Sequence, residues 1–385
     1  MQKTVVVPSK TNKRKIETMG QRKDIFVILG LVFIVNLSYS QENLLHLSDN
    51  LHVYKIEIPR KDHSLIETYV TIRKEDEALC PKPVILLLQG SGANSVFAYK
   101  EDKIYKPFLF KELLKHNKEW HIVCVEKRGV QLGDHVNASG FKNCSQEFIK
   151  YYIKENRVSD INTVINYLHD HNISNKEELI IIGHSEGAMI APSVAAINSK
   201  VTHIALFGFS ATHGLLDFLI SQRIQLESNK IDEKEFHENY DWLVSTFKDV
   251  YHNREPEREL FGHTYKRWLS FSFEKSLDDL LRVEAPIFLG IGSSDRSAPP
   301  LGSDIVIEEF IKAGKDNLTY KNYLGFDHDF MKKDKDKTYY GHSEVLVDIL
   351  EWVRKTKKTR NRHRIKAGDR TPKTVTVPNA PNNPR

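Results

Sequence analysis

Leu179-Ile180-Ile181-Ile182-Gly183-His184-Ser185-Glu186-Gly187-Ala188 is the stretch on which the reading of this chain turns. Four consecutive aliphatic residues have the pattern of a strand buried on both faces of a parallel sheet. The helical pattern of Ala188 to Asn198 follows directly. Between them stands G-x-S-x-G, with Ser185 at its centre. A serine on a tight strand-to-helix turn presents its hydroxyl at the edge of the sheet, and Gly183 and Gly187 allow the backbones to approach closely. The competing reading is an ordinary turn whose serine caps the helix. Partner residues elsewhere in the chain have to separate the two.

Working outward from this stretch, strand and helix patterns alternate. Upstream, Pro83–Leu88 and Trp120–Val125 are short apolar runs of the buried-strand type, and downstream Val201–Phe207 is a fourth. Helices are expected at Ile104–Lys115 and Ser145–His169. Ahead of them, His52–Pro59 and Ile66–Arg73 alternate apolar and polar residues around a polar turn, as a half-exposed hairpin does. From Thr212 to Val283 the alternation stops. Helical patterns at Leu215–Leu226, Glu233–Val250 and Tyr265–Leu281 carry no strand signal, so an inserted helical cap is expected over residues 212–283. The alternation resumes with a strand at Pro286–Ile291, a helix at Ser303–Lys312, a strand at Leu318–Leu324 and a helix at Ser343–Lys355. The expected fold class is α/β, with a mostly parallel central sheet, helices on both faces and the cap inserted after the fourth core strand.

A serine hydroxyl needs a base within hydrogen-bond reach and an acid that orients the base. Both follow in the chain at strand ends. Asp295 lies in Gly292-Ser-Ser-Asp-Arg-Ser297, just past one strand, and His328 lies in Gly325-Phe-Asp-His-Asp-Phe330, just past the last. Catalytic groups of open α/β sheets gather at the carboxyl ends of strands, which brings the three together. Asp327 and Asp329 flank His328, but neighbours on one loop are poorly placed to face its ring. Asp304 belongs to the first turn of a helix, and His184 reads as a packed residue of the turn. For the developing oxyanion, Gln89-Gly-Ser-Gly-Ala-Asn94 places small residues after the first core strand. One donor is assigned to the N–H of Ser91, with Gly92 in reserve, and the other to the N–H of Glu186. The loop has neither the lysine of a P-loop nor the spacing of G-x-G-x-x-G.

Gln89-Gly-Ser-Gly, Glu126-Lys-Arg-Gly129, Gly183-His-Ser-Glu-Gly187, Gly292-Ser-Ser-Asp295 and Asp327-His328 together resemble the motifs of α/β-hydrolase-fold serine hydrolases. The branch they resemble is the one shared by secreted esterases and dipeptidyl-peptidase-like enzymes, over Pro83 to Lys355. That resemblance implies a Ser185-Asp295-His328 triad. Members of the family often have His where Gln89 stands here. No β-propeller is expected ahead of the domain.

Composition agrees with a globular protein: of 385 residues 40% are hydrophobic and 28% charged. The net charge of +5 misleads. Residues 1–23 carry seven Lys/Arg against one acid, and residues 354–385 carry eleven against one. Without these ends 38 basic and 49 acidic residues remain, a formal charge of −11. An acidic body argues against a nucleic-acid surface. The C-terminal segment 356–385 is expected to be a solvated, disordered basic tail, with weak contact to an anionic membrane as its functional alternative. Ile25–Leu37 is an apolar run, preceded by Arg22 and Lys23 and followed by Ser38-Tyr-Ser40, which is the layout of a cleavable secretory signal. Export to the periplasm or medium is therefore expected, with residues 1–40 removed; an uncleaved membrane anchor is the alternative. Met19 would make a better start for that signal than Met1. Three cysteines are too few for a disulfide scaffold or zinc site; Cys124 reads as buried, and Cys80 and Cys144 could pair.

The chain is thus expected to hold a first core segment at 41–211, the cap at 212–283 and a second core segment at 284–355. The expected activity is hydrolysis of a small-molecule carboxylic ester through an acyl-enzyme, without metal or organic cofactor. A peptidase or thioesterase would use the same triad, and a non-catalytic binding protein could keep the fold. Phe218, Trp242, Trp268, Phe271 and Phe273 of the cap are candidates for the pocket wall.

Overall fold

The computed structural model describes residues 44–48, 51–72 and 80–368, apart from 102, 117–118, 136–142, 213, 254–257 and 274–275. The signal expected over residues 1–40 lies outside them. Among the described residues no helix is long and apolar enough to cross a membrane.

Nine strands form one sheet. They are β1 (Leu44–Ser48), β2 (Leu51–Pro59), β3 (Leu65–Ile72), β4 (Lys82–Leu88), β5 (His121–Val125), β6 (Ser174–His184), β7 (His203–Phe207), β8 (Ile287–Gly292) and β9 (Leu318–Tyr323). Their spatial order is β1-β2-β3-β5-β4-β6-β7-β8-β9. β1, β2 and β3 pair antiparallel, and β3 meets β5 antiparallel. From β5 across to β9 every pairing is parallel, so the sheet is mostly parallel as expected.

The period of two along each strand decides which layer a residue joins. Leu86, Leu88, Ile181, Ile204, Leu206, Leu289 and Ile291 face one core. Helices α3 (Lys154–Asp170), α4 (Glu186–Ile197), α8 (Ser276–Arg282) and α9 (Pro300–Lys312) line that face, through residues such as Val164, Ala188, Leu280 and Val306. Ile85, Leu87, Ile180, Ile182, Ala205, Phe207 and Phe288 face the other core, which α1 (Phe110–His116) and α10 (His342–Gly368) cover with Phe110, Leu113, Leu346 and Trp352. The continuous apolar runs of the sequence are continuous because both faces are buried.

Several elements differ from their expected form. Ile104–Lys115 is not one helix. Pro107 stands inside it, Lys103–Ile104 pairs with Tyr99–Lys100, and α1 begins only at Phe110, whose N–H donates to the Pro107 carbonyl. Ser145–His169 divides into α2 (Gln146–Tyr151) and α3, with Tyr152 and Ile153 out of helical conformation between them. Tyr265–Leu281 divides into α7 (Tyr265–Phe273) and α8. Ser276–Arg282 packs its apolar face on the main core rather than on the other cap helices, α5 (Leu215–Glu227) and α6 (Glu233–His252). A short hairpin, Glu259–Leu260 with His263–Thr264, stands where no strand was expected. Another, Met331–Asp334 with Lys337–Tyr340, follows the last strand of the sheet. The final helix runs on to Gly368, inside the segment expected to be irregular. All three cysteines are free thiols, Cys80 exposed and Cys124 buried, so the suggested Cys80–Cys144 pairing is not formed.

Removing a side chain from the buried middle of the sheet leaves a cavity that the layers cannot close. Ile181→Ala is expected to cost about 2–5 kcal/mol in urea unfolding, whereas Tyr320→Ala, half-exposed on the edge strand β9, should stay within about 0.5 kcal/mol.

Candidate active site

Every loop that leaves the carboxyl end of a parallel strand contributes to one place. After β6, Ser185 is held at φ 54° and ψ −120°, a conformation that costs a non-glycine residue about 1–3 kcal/mol. Its N–H donates to the Phe207 carbonyl at 2.8 Å, and its own carbonyl accepts from Ala188 N–H at 2.9 Å as α4 begins. The flanking glycines are dictated by packing. A Cβ on Gly183 would lie 2.4 Å from the Gly187 carbonyl oxygen, and one on Gly187 would lie 2.1 Å from that of Leu88.

After β8, Asp295 is 2% exposed. Its Oδ1 accepts the N–H groups of Ser297 and Ala298, each at 2.8 Å, which leaves Oδ2 for His328 Nδ1 at 2.8 Å. After β9, the imidazole of His328 lies against the backbone of Gly208, where a Cβ would come within 2.6 Å of Cε1. Burial works against the imidazolium, but the Asp295 hydrogen bond and the charges of Asp295, Asp329 and Asp327 outweigh it, so His328 titrates above the ordinary histidine value. Ser185 and His328 open onto a shared cavity of about 350 Å³.

The flanking carboxylates are engaged or turned away. Asp327 Oδ1 accepts the N–H groups of Asp329 and Met331, Asp329 is exposed, and Asp304 is exposed on α9. His184 stacks on Phe108 with ring centroids 4.6 Å apart, and its Nε2 lies 2.8 Å from the His328 carbonyl oxygen. Burial and the neighbouring His328 push it down to about 4. Of the cap aromatics, Phe218 and Trp268 line the cavity, joined by Phe261. Phe271 belongs to the main core, Trp242 is half-exposed against Phe261, and the side chain of Phe273 lies outside those described.

The layered parallel sheet, the strained serine between strand and helix, and the acid and histidine after later strands form one recognisable architecture. The chain has the α/β-hydrolase fold. Dipeptidyl peptidase 4 of Porphyromonas gingivalis superposes with a TM-score of 0.50 at 12% identity, over 81% of this chain and 36% of that one. An acetyl xylan esterase from a Paenibacillus matches at 0.48 and 13% identity, over 80% of this chain and 87% of that one. The acylaminoacyl peptidase of Pyrococcus horikoshii matches at 0.46 and 13%, over 72% and 38%. The chain therefore spans little more than a third of the length of those two peptidases. No protein-family model and no curated protein sequence matches it.

Around this α/β-hydrolase turn lies a buried charged cluster that sequence reasoning did not assemble. The carboxylate of Glu186 is 1% exposed, with Lys127 Nζ 3.3 Å from Oε1 and an Arg267 guanidinium nitrogen 2.9 Å from Oε2. Tyr152 donates its hydroxyl hydrogen to the same Oε2. Burial alone would raise Glu186, but Lys127 and Arg267 hold it down at about 2. The only signal for this in the sequence was Glu126-Lys-Arg-Gly129, a motif without an assigned task. On the loop Gln89–Asn94, the Gln89 amide donates to the Asn94 carbonyl at 3.0 Å. Gly92 N–H donates to Tyr152 Oη at 3.0 Å, which removes Gly92 as the reserve oxyanion donor. Ser91 lines the shared cavity, and Glu186 is the first residue of α4, where an N–H has no acceptor within its own helix.

Replacing Asp295 by Asn removes the charge that sustains the imidazolium. Followed by NMR, the His328 titration should lie above the ordinary histidine value in the native protein and move down in Asp295→Asn, where burial is opposed only by the charges of Asp329 and Asp327.

Proposed function

We propose that this chain is a serine hydrolase that cleaves carboxylic esters through an acyl-enzyme. The observation that carries the reading is Ser185, held at φ 54° on the edge of a cavity it shares with a histidine whose far nitrogen is bonded to a buried carboxylate. The Asp295 bond keeps a proton on His328 Nδ1 and leaves Nε2 as the base. As Ser185 Oγ attacks the carbonyl carbon, Nε2 takes its proton. The N–H groups of Ser91 and Glu186 receive the negative charge that develops on the carbonyl oxygen. Collapse of the tetrahedral intermediate breaks the bond to the leaving group, which departs with the proton from Nε2. Water, deprotonated by the same nitrogen, then releases the acid and restores Ser185.

Two basins favour a substrate with two dissimilar ends. The cavity of about 350 Å³ under the cap carries Phe218, Phe261, Trp268 and Met189, an apolar wall suited to an acyl chain or ring. A wider cleft of about 870 Å³ shares Ser91 with that cavity, includes His184 and is bordered by Lys103, Lys106 and Lys111; it would take the departing alcohol. Export of the enzyme is part of the proposal, supported by the apolar run Ile25–Leu37 behind Arg22 and Lys23.

A fluorophosphonate should label Ser185, and Ser185→Ala should lose label and at least about 10³-fold of p-nitrophenyl ester turnover. Turnover retained by that variant overturns the assignment; absence of label on the native protein would favour a binding protein that keeps the fold. A panel of ester, thioester and aminoacyl-amide substrates separates the esterase from its peptidase and thioesterase counterparts. Because only neutral His328 can act as base, kcat/KM should fall on the acid side with an apparent pKa above the ordinary histidine value.

A further inference from the structure

We propose that Lys127 is the positioning residue of the oxyanion hole, an inference that rests on the hydrolase reading above. Lys127 follows β5 in Glu126-Lys-Arg-Gly129, and its side chain is 3% exposed beneath the loop Gln89–Asn94. Its ammonium donates to the Gly90 carbonyl at 2.5 Å and the Gly92 carbonyl at 2.9 Å, and stands 3.3 Å from Glu186 Oε1. Two of the ammonium's three donors are taken by carbonyls of the loop, and its charge is paired with the Glu186 carboxylate, so it engages both segments that carry the oxyanion N–H groups.

The geometry of the peptide bond turns these contacts into an orientation. In a trans peptide the C=O and the following N–H point in opposite directions, and no described peptide is cis. Drawing the Gly90 oxygen down onto Lys127 therefore turns the Ser91 N–H away from Lys127, to the face on which Ser91 lines the cavity with Ser185 and His328. The next peptide is fixed the other way, because Gly92 N–H is held by Tyr152 Oη. The same loop lies against the nucleophile, with a Cβ at Gly90 placed 3.8 Å from Ser185 Oγ. Lys127 thus sets one donor through Gly90 and holds the carboxylate of the residue that supplies the other. Arg267, on α7 of the cap, binds that carboxylate from its opposite oxygen, which ties the cap to the same clamp.

Burying a lysine among carbonyls is costly, and an apolar side chain of the same length would pack there without the cost. Burial accordingly lowers Lys127 to about 8, opposed by Glu186. What the charge supplies is direction for two peptide planes, which no methylene group can give.

The test compares the native enzyme with Lys127→Met and Tyr152→Phe. Each is assayed for kcat and KM on an activated ester and for inhibition by a trifluoromethyl ketone, whose adduct with Ser185 places an oxyanion in the hole. Lys127→Met should lose about 10²-fold in kcat with KM nearly unchanged, and the ketone should weaken by the same factor. Tyr152→Phe, which keeps both charges and removes only the hydroxyl's bonds to Gly92 N–H and Glu186 Oε2, should show the same parallel loss at about a tenth of that size; it carries the test should Lys127→Met not fold. A rise in KM at constant kcat, or a fall in kcat without weaker ketone binding, overturns the proposal. Native protein that takes no fluorophosphonate at Ser185 overturns the hydrolase reading and this inference with it, whereas labelled protein with an unaffected Lys127→Met overturns this inference alone.

Discussion

The close approach of α4 to the sheet is the constraint from which the rest of the site follows. With no side chain on Gly187, the first turn of the helix settles onto the Leu88 carbonyl, and with none on Gly183 the strand end closes against the same turn. The chain has no room for a relaxed corner. Ser185 takes up the difference at φ 54°, and its strain is sustained by the hydrogen bonds to Phe207 and Ala188 and by the buried layers on either side. This is strain maintained by packing, the usual way a fold keeps a functional residue outside its preferred conformation.

A second constraint is electrostatic. Placing Glu186 at the start of a buried helix would be unfavourable by itself, and two cations answer it from two distant parts of the chain. Removing either cation leaves a buried charge incompletely paired, so the three side chains behave as a unit. The break between α2 and α3 belongs to the same arrangement. Tyr152 leaves the helical path so that its ring stacks on Phe148 and its hydroxyl reaches Glu186 and Gly92. A continuous helical pattern in the sequence was interrupted by a polar contact that lies 34 residues further along the chain.

That example marks the boundary of what the sequence discloses. The parallel sheet was legible because each strand is buried on both faces and each is framed by turn residues, and the strand-end positions of Ser185, Asp295 and His328 were legible because strand ends are where such a sheet gathers its loops. The structure brings Asp295 and His328 into contact as the order of the motifs suggested. What could not be read were contacts between segments with no shared period: Lys127 with Gly90, Arg267 with Glu186, Ser193 with Asp279. Pro107 did carry a readable signal, since a proline inside an amphipathic pattern breaks it, and the apolar spacing masked that signal. Among the cap aromatics, helical spacing could not distinguish the cavity wall from the interior, or either from the half-exposed Trp242.

The cap packs around a core of its own, with Leu243, Phe247, Val250, Leu260, Tyr265 and Trp268 buried together apart from the two layers of the sheet. Roof and machinery are thus separable except at the Arg267–Glu186 pair that ties them. Drift in that small cluster can reshape what fits above Ser185 while the strained corner, the acid and the histidine stay where the sheet holds them, so a lineage carrying this chain can trade one substrate for another without rebuilding its chemistry.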